Sequence, residues 1–214
     1  MTRIAIIDDH PSTREGLTTR IELEPDLEVC GEAADVEEGL QLIAAKSPHL
    51  AVIDVSLKSG SGIELVKQVK ARNLPTRMLV WSMYDDSLYA ERALRAGAMG
   101  YINKGNATGV IISAIRKVLS GEIYVCAEMS AKLLHRVVLG KTTAGQTPVE
   151  ALSDRELQTF TLIGQGHCTA VIADTMQLSP KTIETYRARI KEKLELADMA
   201  SLSREATQWV LENS

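Results

Sequence analysis

Apolar residues in the first ~120 positions alternate between two rhythms. The unbroken runs Ile4-Ala5-Ile6-Ile7 and Leu50-Ala51-Val52-Ile53 are too short for helices and end in polar turns, the pattern of strands buried on both faces. Between such runs apolar residues recur every three or four positions, as in Leu40, Ile43 and Ala44, then Leu65, Val66 and Val69. The pattern predicts strands over Arg3–Ile7, Leu27–Glu32, His49–Val55, Arg77–Ser82 and Gly100–Asn103. It predicts helices over Pro11–Leu23, Val36–Lys46, Ile63–Ala71, Ser87–Ala96 and Thr108–Leu119. Pro11 opens its helix where a missing N–H is harmless; Ser47-Pro48, Gly97 and Ser120-Gly121 close three others. Successive strand–helix units with right-handed crossovers imply an α/β, doubly wound, five-stranded parallel sheet covered on both faces.

Beyond residue 121 the rhythm changes. Glu128–Val138 is expected to form a short helix, and Gly140–Pro148 is a polar linker. The remainder has only helical periodicity, over Asp154–Gln165, Thr169–Met176, Pro180–Leu194 and Ser201–Glu212. The expected organisation is an α/β domain at 1–121, a linker at 122–149 and an all-α four-helix domain at 150–214. A length of 214 residues suits two small domains, and 45% apolar with 24% charged residues is ordinary globular composition. No apolar stretch is long enough to span a bilayer, and Asp8-Asp9 directly after the first apolar run argues against a secretory leader, so a cytoplasmic protein is expected. Cys30, Cys126 and Cys168 are too scattered for a disulfide framework, and no Cys or His group has zinc spacing.

The candidate chemistry lies at the strand ends. Asp8-Asp9 follow the first strand, Asp54 the third, Ser82 ends the fourth and Lys104 follows the fifth, all on the edge where doubly wound sheets bind ligands. Carboxylates sharing one pocket raise each other's pKa unless a cation joins them. Few, oxygen-only donors suit Mg²⁺, which keeps several waters. Such an ion could also bind a phosphoryl group, for which the Lys104 ammonium and Ser82 hydroxyl supply further donors. Taken alone, Asp8-Asp9 also fits a capping cluster ahead of Pro11.

Together these positions resemble the flavodoxin-like receiver domain of bacterial two-component response regulators, over about residues 1–121. The resemblance implies that Asp54 is the phosphoacceptor for a histidine kinase. It implies that Asp9 binds Mg²⁺ directly and Asp8 through water, with Asp54 and the Ser56 carbonyl in the same metal set. Lys104 is then the charge-neutralising lysine, and Ser82 with Tyr101 the switch pair, the hydroxyl moving to the phosphoryl group and the ring following inward. Trp81, on the opposite face of its strand from Ser82, reads as core. Two positions depart from the family pattern: Lys58 and Gly105 stand where many receivers have proline.

In the C-terminal part, Gln177-Leu178-Ser179 forms a turn between two helices, with Ser179 a good N-cap and Pro180 a good first-turn residue. Residues 150–214 hold seven basic and ten acidic residues, yet 180–194 hold five basic and two acidic. Positive charge gathered on one helix of an acidic domain is the footprint of a helix that enters a nucleic-acid groove. Leu152-Ser153-Asp154-Arg155-Glu156, Gly164-Gln165-Gly166, Ile172-Ala173 and Ser179 through Arg187 resemble the LuxR-type helix-turn-helix domain, and with the receiver they resemble the NarL/FixJ subfamily. The resemblance makes Pro180–Leu194 the recognition helix. Lys181, Glu184, Thr185 and Ala188 are candidates for base edges, and Thr182, Arg187, Arg189, Lys191 and Lys193 for phosphates. It makes the last helix a dimerisation element, with Leu202, Ala206, Trp209 and Val210 as its apolar stripe. Relatives tend to begin the first helix of the motif with Ser-x-x-Glu; here the stretch is Cys168-Thr169-Ala170-Val171, so the reciprocal cap is gone and a frayed start with weaker DNA binding is expected.

The implied function is a phosphorylation-switched transcription factor that dimerises on a roughly palindromic duplex site and turns over no external substrate. Two alternatives differ in kind: a Mg²⁺-dependent phosphatase, which lacks its second acid because Asp54-Val55-Ser56 is not Asp-x-Asp, and a DNA-binding or interaction protein that works without phosphorylation.

Overall fold

The computed structural model describes residues 1–84, 87–105, 109–127, 129–131 and 148–213, and the chain divides into two compact units, Met1–Leu134 and His135–Ser214. The first unit alternates β1 (Thr2–Ile7), α1 (Pro11–Glu22), β2 (Leu27–Ala33), α2 (Val36–Lys46), β3 (Leu50–Ile53), α3 (Gly62–Ala71), β4 (Arg77–Ser82), α4 (Ser87–Ala96), β5 (Gly100–Asn103) and α5 (Val110–Leu119). All five strands are parallel, in the order β2-β1-β3-β4-β5. The chain reverses its winding between β1 and β3, and the crevice at that switch point is where such sheets take ligands. Every residue of β3 is buried, as its unbroken apolar run requires. Leu17 and Ile21 of α1 join Ile111, Ala114, Ile115 and Val118 of α5 in one core against Ile4, Ile6, Leu50, Val52, Leu79 and Ile102. On the other face α2, α3 and α4 pack in series.

Helix boundaries follow local chemistry. Asp35 caps α2 by accepting from the Glu38 amide, and Ser61 caps α3 by accepting from that of Ile63. Gly97 leaves α4 at φ 117°, a conformation that favours glycine. After α5 the chain returns to the sheet: the Tyr124 amide donates to the Met99 carbonyl and the Tyr101 amide donates to the Tyr124 carbonyl, both at 2.9 Å. This bridge lies so close to Gly100 that a Cβ there would sit 2.9 Å from the Tyr124 carbonyl oxygen. Of the helix expected over Glu128–Val138, positions 128 and 132–138 lie outside the described residues, as do 140–147 of the linker and the expected helix start at Thr108.

The second unit opens with a 3-10 turn, Pro148–Ala151, and continues as α6 (Asp154–Gly164), α7 (Thr169–Thr175), α8 (Pro180–Lys193) and α9 (Met199–Asn213). A capping box starts α6: the Ser153 hydroxyl accepts from the Glu156 amide and the Glu156 carboxylate accepts from the Ser153 amide. Leu157, Phe160, Ile172, Ile183, Ile190, Leu202 and Ala206 form its buried core. Helices α6 and α9 touch backbone to backbone, since a Cβ on Gly164 would fall 2.3 Å from the Ala206 carbonyl oxygen. This corrects two positions of the expected dimer stripe. Leu202 and Ala206 are fully buried within one chain, and Trp209 packs on Phe160 with ring centroids 5.8 Å apart. Only Trp209 and Val210 of the four keep accessible surface, while the exposed Leu211 was not expected. No described helix is long and apolar enough to cross a membrane.

Candidate functional site

Register builds the pocket. Ile7 pairs with Ile53, so Asp8 and Asp54 leave adjacent strands side by side, tied by the Asp54 amide to the Ile7 carbonyl at 2.8 Å. Both carboxylates are buried. The Lys104 ammonium lies between them, 2.6 Å from Asp8 Oδ2 and 3.0 Å from Asp54 Oδ2. The Asp54 Oδ1 accepts from the Val55 amide at 2.8 Å. Asp9 completes the acidic set, and one ligand atom from each of Asp8, Asp9, His10 and Asp54 lies within 4.8 Å of the others.

Electrostatics follow from this packing. Burial pushes the Asp54 carboxyl up to about 6, against the pull of Lys104 and with the charge of Asp8 adding to the rise. Burial also raises Asp9, opposed by His10 and helped by Asp8. Sequence reasoning put mutual repulsion first; the larger cause is desolvation. The capping alternative for Asp8-Asp9 is excluded, because the N-cap of α1 is His10 and no side chain caps it. Asp8 instead accepts from the His10 amide at 2.8 Å.

Ser82 is buried, its hydroxyl accepting from the Tyr84 amide at 3.3 Å and its carbonyl from the Lys104 amide at 2.7 Å. The Tyr101 ring is already buried here, its hydroxyl donating to the Tyr84 carbonyl at 2.5 Å. Ser56 sits in the turn after Asp54, closed by a bridge to Ser61. The two positions without proline have a physical reason. The Lys58 amide donates to the Ala34 carbonyl at 3.2 Å and the Gly105 amide to Asn103 Oδ1 at 2.5 Å, bonds a proline has no N–H to make.

Sequence reasoning missed four pocket residues. His10 Nδ1 lies 2.7 Å from Asp9 Oδ1. Arg14 reaches back from α1 to donate to the Asp8 carbonyl at 2.6 Å. Gly62 lets α3 start against the Asp54 backbone, where a Cβ would meet the Asp54 carbonyl oxygen at 1.8 Å. Trp81, half-buried, has its ring 5.4 Å from the Lys104 ammonium. The Ser-Gly-Ser-Gly run at 59–62 was the only sequence signal for any of these.

In the second unit, Ser179 caps α8 by accepting from the Thr182 amide at 3.1 Å. Ile183 and Ile190 anchor the helix in the core, leaving Lys181, Glu184, Thr185, Ala188 and Arg189 exposed and Thr182 and Lys191 half-buried. Two expected phosphate contacts are engaged within the unit. Arg187 donates to the Thr169 hydroxyl, which itself donates to Glu184 at 2.8 Å, and its buried Nε finds no acceptor among the described residues. Lys193 binds the buried Glu156 at 2.6 Å, joining the end of α8 to the capping box of α6. Burial works to raise the Glu156 carboxyl, but Lys193 and Ser153 outweigh it and hold the group below its ordinary value. Cys168 occupies the N-cap of α7 without a side-chain capping bond, so the reciprocal cap is absent as expected, and α7 runs from Thr169. The nearby Val171 and Ala170 amides lower its thiol pKa.

Comparison with known proteins agrees with both halves. Residues 4–116 match the response regulator receiver domain, and residues 150–206 match the luxR family of bacterial regulatory proteins. The chain is 33% identical to the virulence-factor transcription regulator BvgA of Bordetella pertussis, across 94% of each protein. It is 32% identical to the transcriptional regulatory protein LiaR of Bacillus subtilis, across 92% of this chain and 93% of that one. A two-component response regulator of the LuxR family from Aurantimonas superposes with a TM-score of 0.60 at 32% identity, covering 64% of this chain and 99% of that one. RcsB from Salmonella enterica, bound to promoter DNA with a phosphomimetic, shares the fold at a TM-score of 0.60 and 23% identity over 96% of this chain and 98% of its own. The chain therefore belongs to the response regulators, with a receiver joined to a LuxR-type DNA-binding domain. Within them it is of the NarL/FixJ type.

Proposed function

We propose that Asp54 accepts a phosphoryl group from a histidine kinase and that this event controls binding of α8 to duplex DNA. The observation that carries the reading is the buried Asp8–Lys104–Asp54 arrangement at the C-terminal edge of β1 and β3. Burial strips water from the Asp54 carboxylate, so the attacking oxygen has little solvent to shed. Its in-line attack on phosphohistidine breaks the N–P bond, forms an O–P bond to Asp54 and releases the imidazole. Lys104 neutralises charge on the transferring oxygens, and the Ser82 hydroxyl, whose oxygen accepts from the Tyr84 amide, is the second donor, turning its O–H to a phosphoryl oxygen.

Asp8, Asp9 and Asp54, with the Ser56 carbonyl, are the donors for Mg²⁺: hard oxygens, clustered and partly desolvated, match its chemistry. When bound, the ion adds countercharge for the phosphoryl oxygens. The acyl phosphate brings roughly −2 charge to a pocket whose three carboxylates already outnumber its one lysine, which biases the Ser82–Tyr101 surface. On α8, Lys181, Glu184, Thr185 and Ala188 read base edges, while Thr182, Arg189 and Lys191 meet phosphates. A homodimer then spans two roughly palindromic half-sites. The pocket modifies its own aspartate and turns over no external phosphoester.

The test compares size and DNA retention of the purified protein with Mg²⁺, with and without a small-molecule phosphodonor, beside Asp54→Ala. The expected result is donor-dependent dimer and specific retention only when Asp54 is present. Equal dimerisation and DNA binding by both proteins without donor overturns the reading and identifies a phosphorylation-independent DNA binder.

A further inference from the structure

Trp81 stands next to the pocket but has no part in the phosphoryl-accepting set described above. Strand alternation sends it to the α5 side of the sheet, opposite Ser82, where it packs against the core that includes Ile102 and Ile111. Its partner across the β4–β5 pairing is Ile102, two residues before Lys104. The Lys104 amide is held by the Ser82 carbonyl, so the lysine side chain departs from backbone beside the indole, and its ammonium ends 5.4 Å from the ring centroid.

This distance is within cation–π range, and tryptophan is the best aromatic partner for a cation. An ammonium carries three N–H groups. Asp8 at 2.6 Å and Asp54 at 3.0 Å take two of them, which leaves the third for the π face. With the lysine side chain only 8% exposed, solvent screens this attraction little. Packing on this face asks only for a large apolar side chain; what an aromatic ring adds is a face for the cation. A carboxylate in place of the ring would hold lysine too, but it would add a fourth negative charge to the pocket and oppose the incoming phosphoryl group. The ring holds the cation without adding net charge.

We propose that Trp81 is a positioning residue for phosphoryl acceptance, its indole face holding the Lys104 ammonium in register with Asp54. The inference rests on the reading of Asp54 as phosphoacceptor. Two measurements test it. The first is the rate of phosphorylation by a small-molecule donor with Mg²⁺ in wild type, Trp81→Phe and Trp81→Leu. Trp81→Phe keeps a π face and is expected within about twofold of wild type. Trp81→Leu is expected about fivefold slower, the equivalent of about 1 kcal/mol, at a melting temperature similar to that of Trp81→Phe.

The second uses Trp209→Phe, which leaves Trp81 as the sole tryptophan of two. Emission from Trp81 is expected to differ between Trp209→Phe and Trp209→Phe with Lys104→Met. Beryllofluoride with Mg²⁺ is expected to shift it saturably in the first protein and not in the second. Wild-type rates in Trp81→Leu, equal loss in the Phe and Leu variants, or emission indifferent to Lys104 overturns the proposal. A wild type inert to every donor overturns the Asp54 reading instead, and the emission difference, which needs no phosphoryl group, still reports the ammonium on the ring.

Discussion

Replacing Asp54 by asparagine is expected to stabilise the first unit at neutral pH when no divalent cation is present. The side chain keeps its size and loses a charge that burial disfavours. In the folded chain the Asp54 carboxyl is raised from 3.8 to about 6, so between these values the folded state retains a proton that the unfolded state has released. The group's favourable contribution is therefore complete below about pH 3.8 and is lost as pH rises through about 6. A shift of about two units at ~1.36 kcal/mol each corresponds to about 3 kcal/mol at pH 7.5, and about half of that at pH 5. For a unit the size of Met1–Leu134 this is a rise of about 10 °C in Tm. Urea and thermal unfolding of both proteins in chelator, at about pH 5 and about pH 7.5, measure the gap. No gap near neutrality, or a gap that widens as pH falls, would refute the assignment of burial as the dominant influence on Asp54.

Other substitutions test separate parts of the structure. Gly62→Ala places a Cβ 1.8 Å from the Asp54 carbonyl oxygen and is expected to cost about 4 kcal/mol or more in urea unfolding; a loss under about 1 kcal/mol would mean that the turn after Asp54 yields easily. Lys193→Ala leaves the buried Glu156 without its cation and is expected to lower stability of the C-terminal unit by about 1–2 kcal/mol above pH 5, with the difference from wild type shrinking as Glu156 protonates. The pair Cys168→Ser and Val171→Glu rebuilds a capping box on an N-cap that already has extended geometry, and is expected to add about 1 kcal/mol to thermal stability; unchanged melting would mean that α7 draws nothing from its cap.

The sheet and its pocket were legible in the sequence because each strand announces itself locally. Ile4 through Ile7 and Leu50 through Ile53 are buried runs, and the acids that follow them must emerge together once the strands pair. Residues whose role depends on a distant neighbour were not legible. Nothing near Lys193 in the chain indicates Glu156, and nothing near Arg187 indicates Thr169. Basic residues on a helix read as free charges until packing shows which are tied. Leu202 and Ala206 of the α9 stripe were misplaced for a related reason: an apolar face predicts burial, but that their own chain supplies the cover is decided by α6, where Gly164 allows contact with Ala206. The missing prolines at 58 and 105 read as plain departures until their N–H groups were seen to have acceptors.

The return of the chain to Tyr124 bears on how the receiver can be handled in isolation. β5 is an outer strand, and the Met99 carbonyl and Tyr101 amide on its free side are satisfied by Tyr124 rather than by water. A fragment ending at residue 121, where the strand–helix alternation stops, would strip that cover and leave an open edge with unpaired backbone groups, the template on which sheets join edge to edge. A fragment that runs on through Ala131 keeps the cover, and of the two it is the one whose self-association in solution would speak for the receiver rather than for the cut.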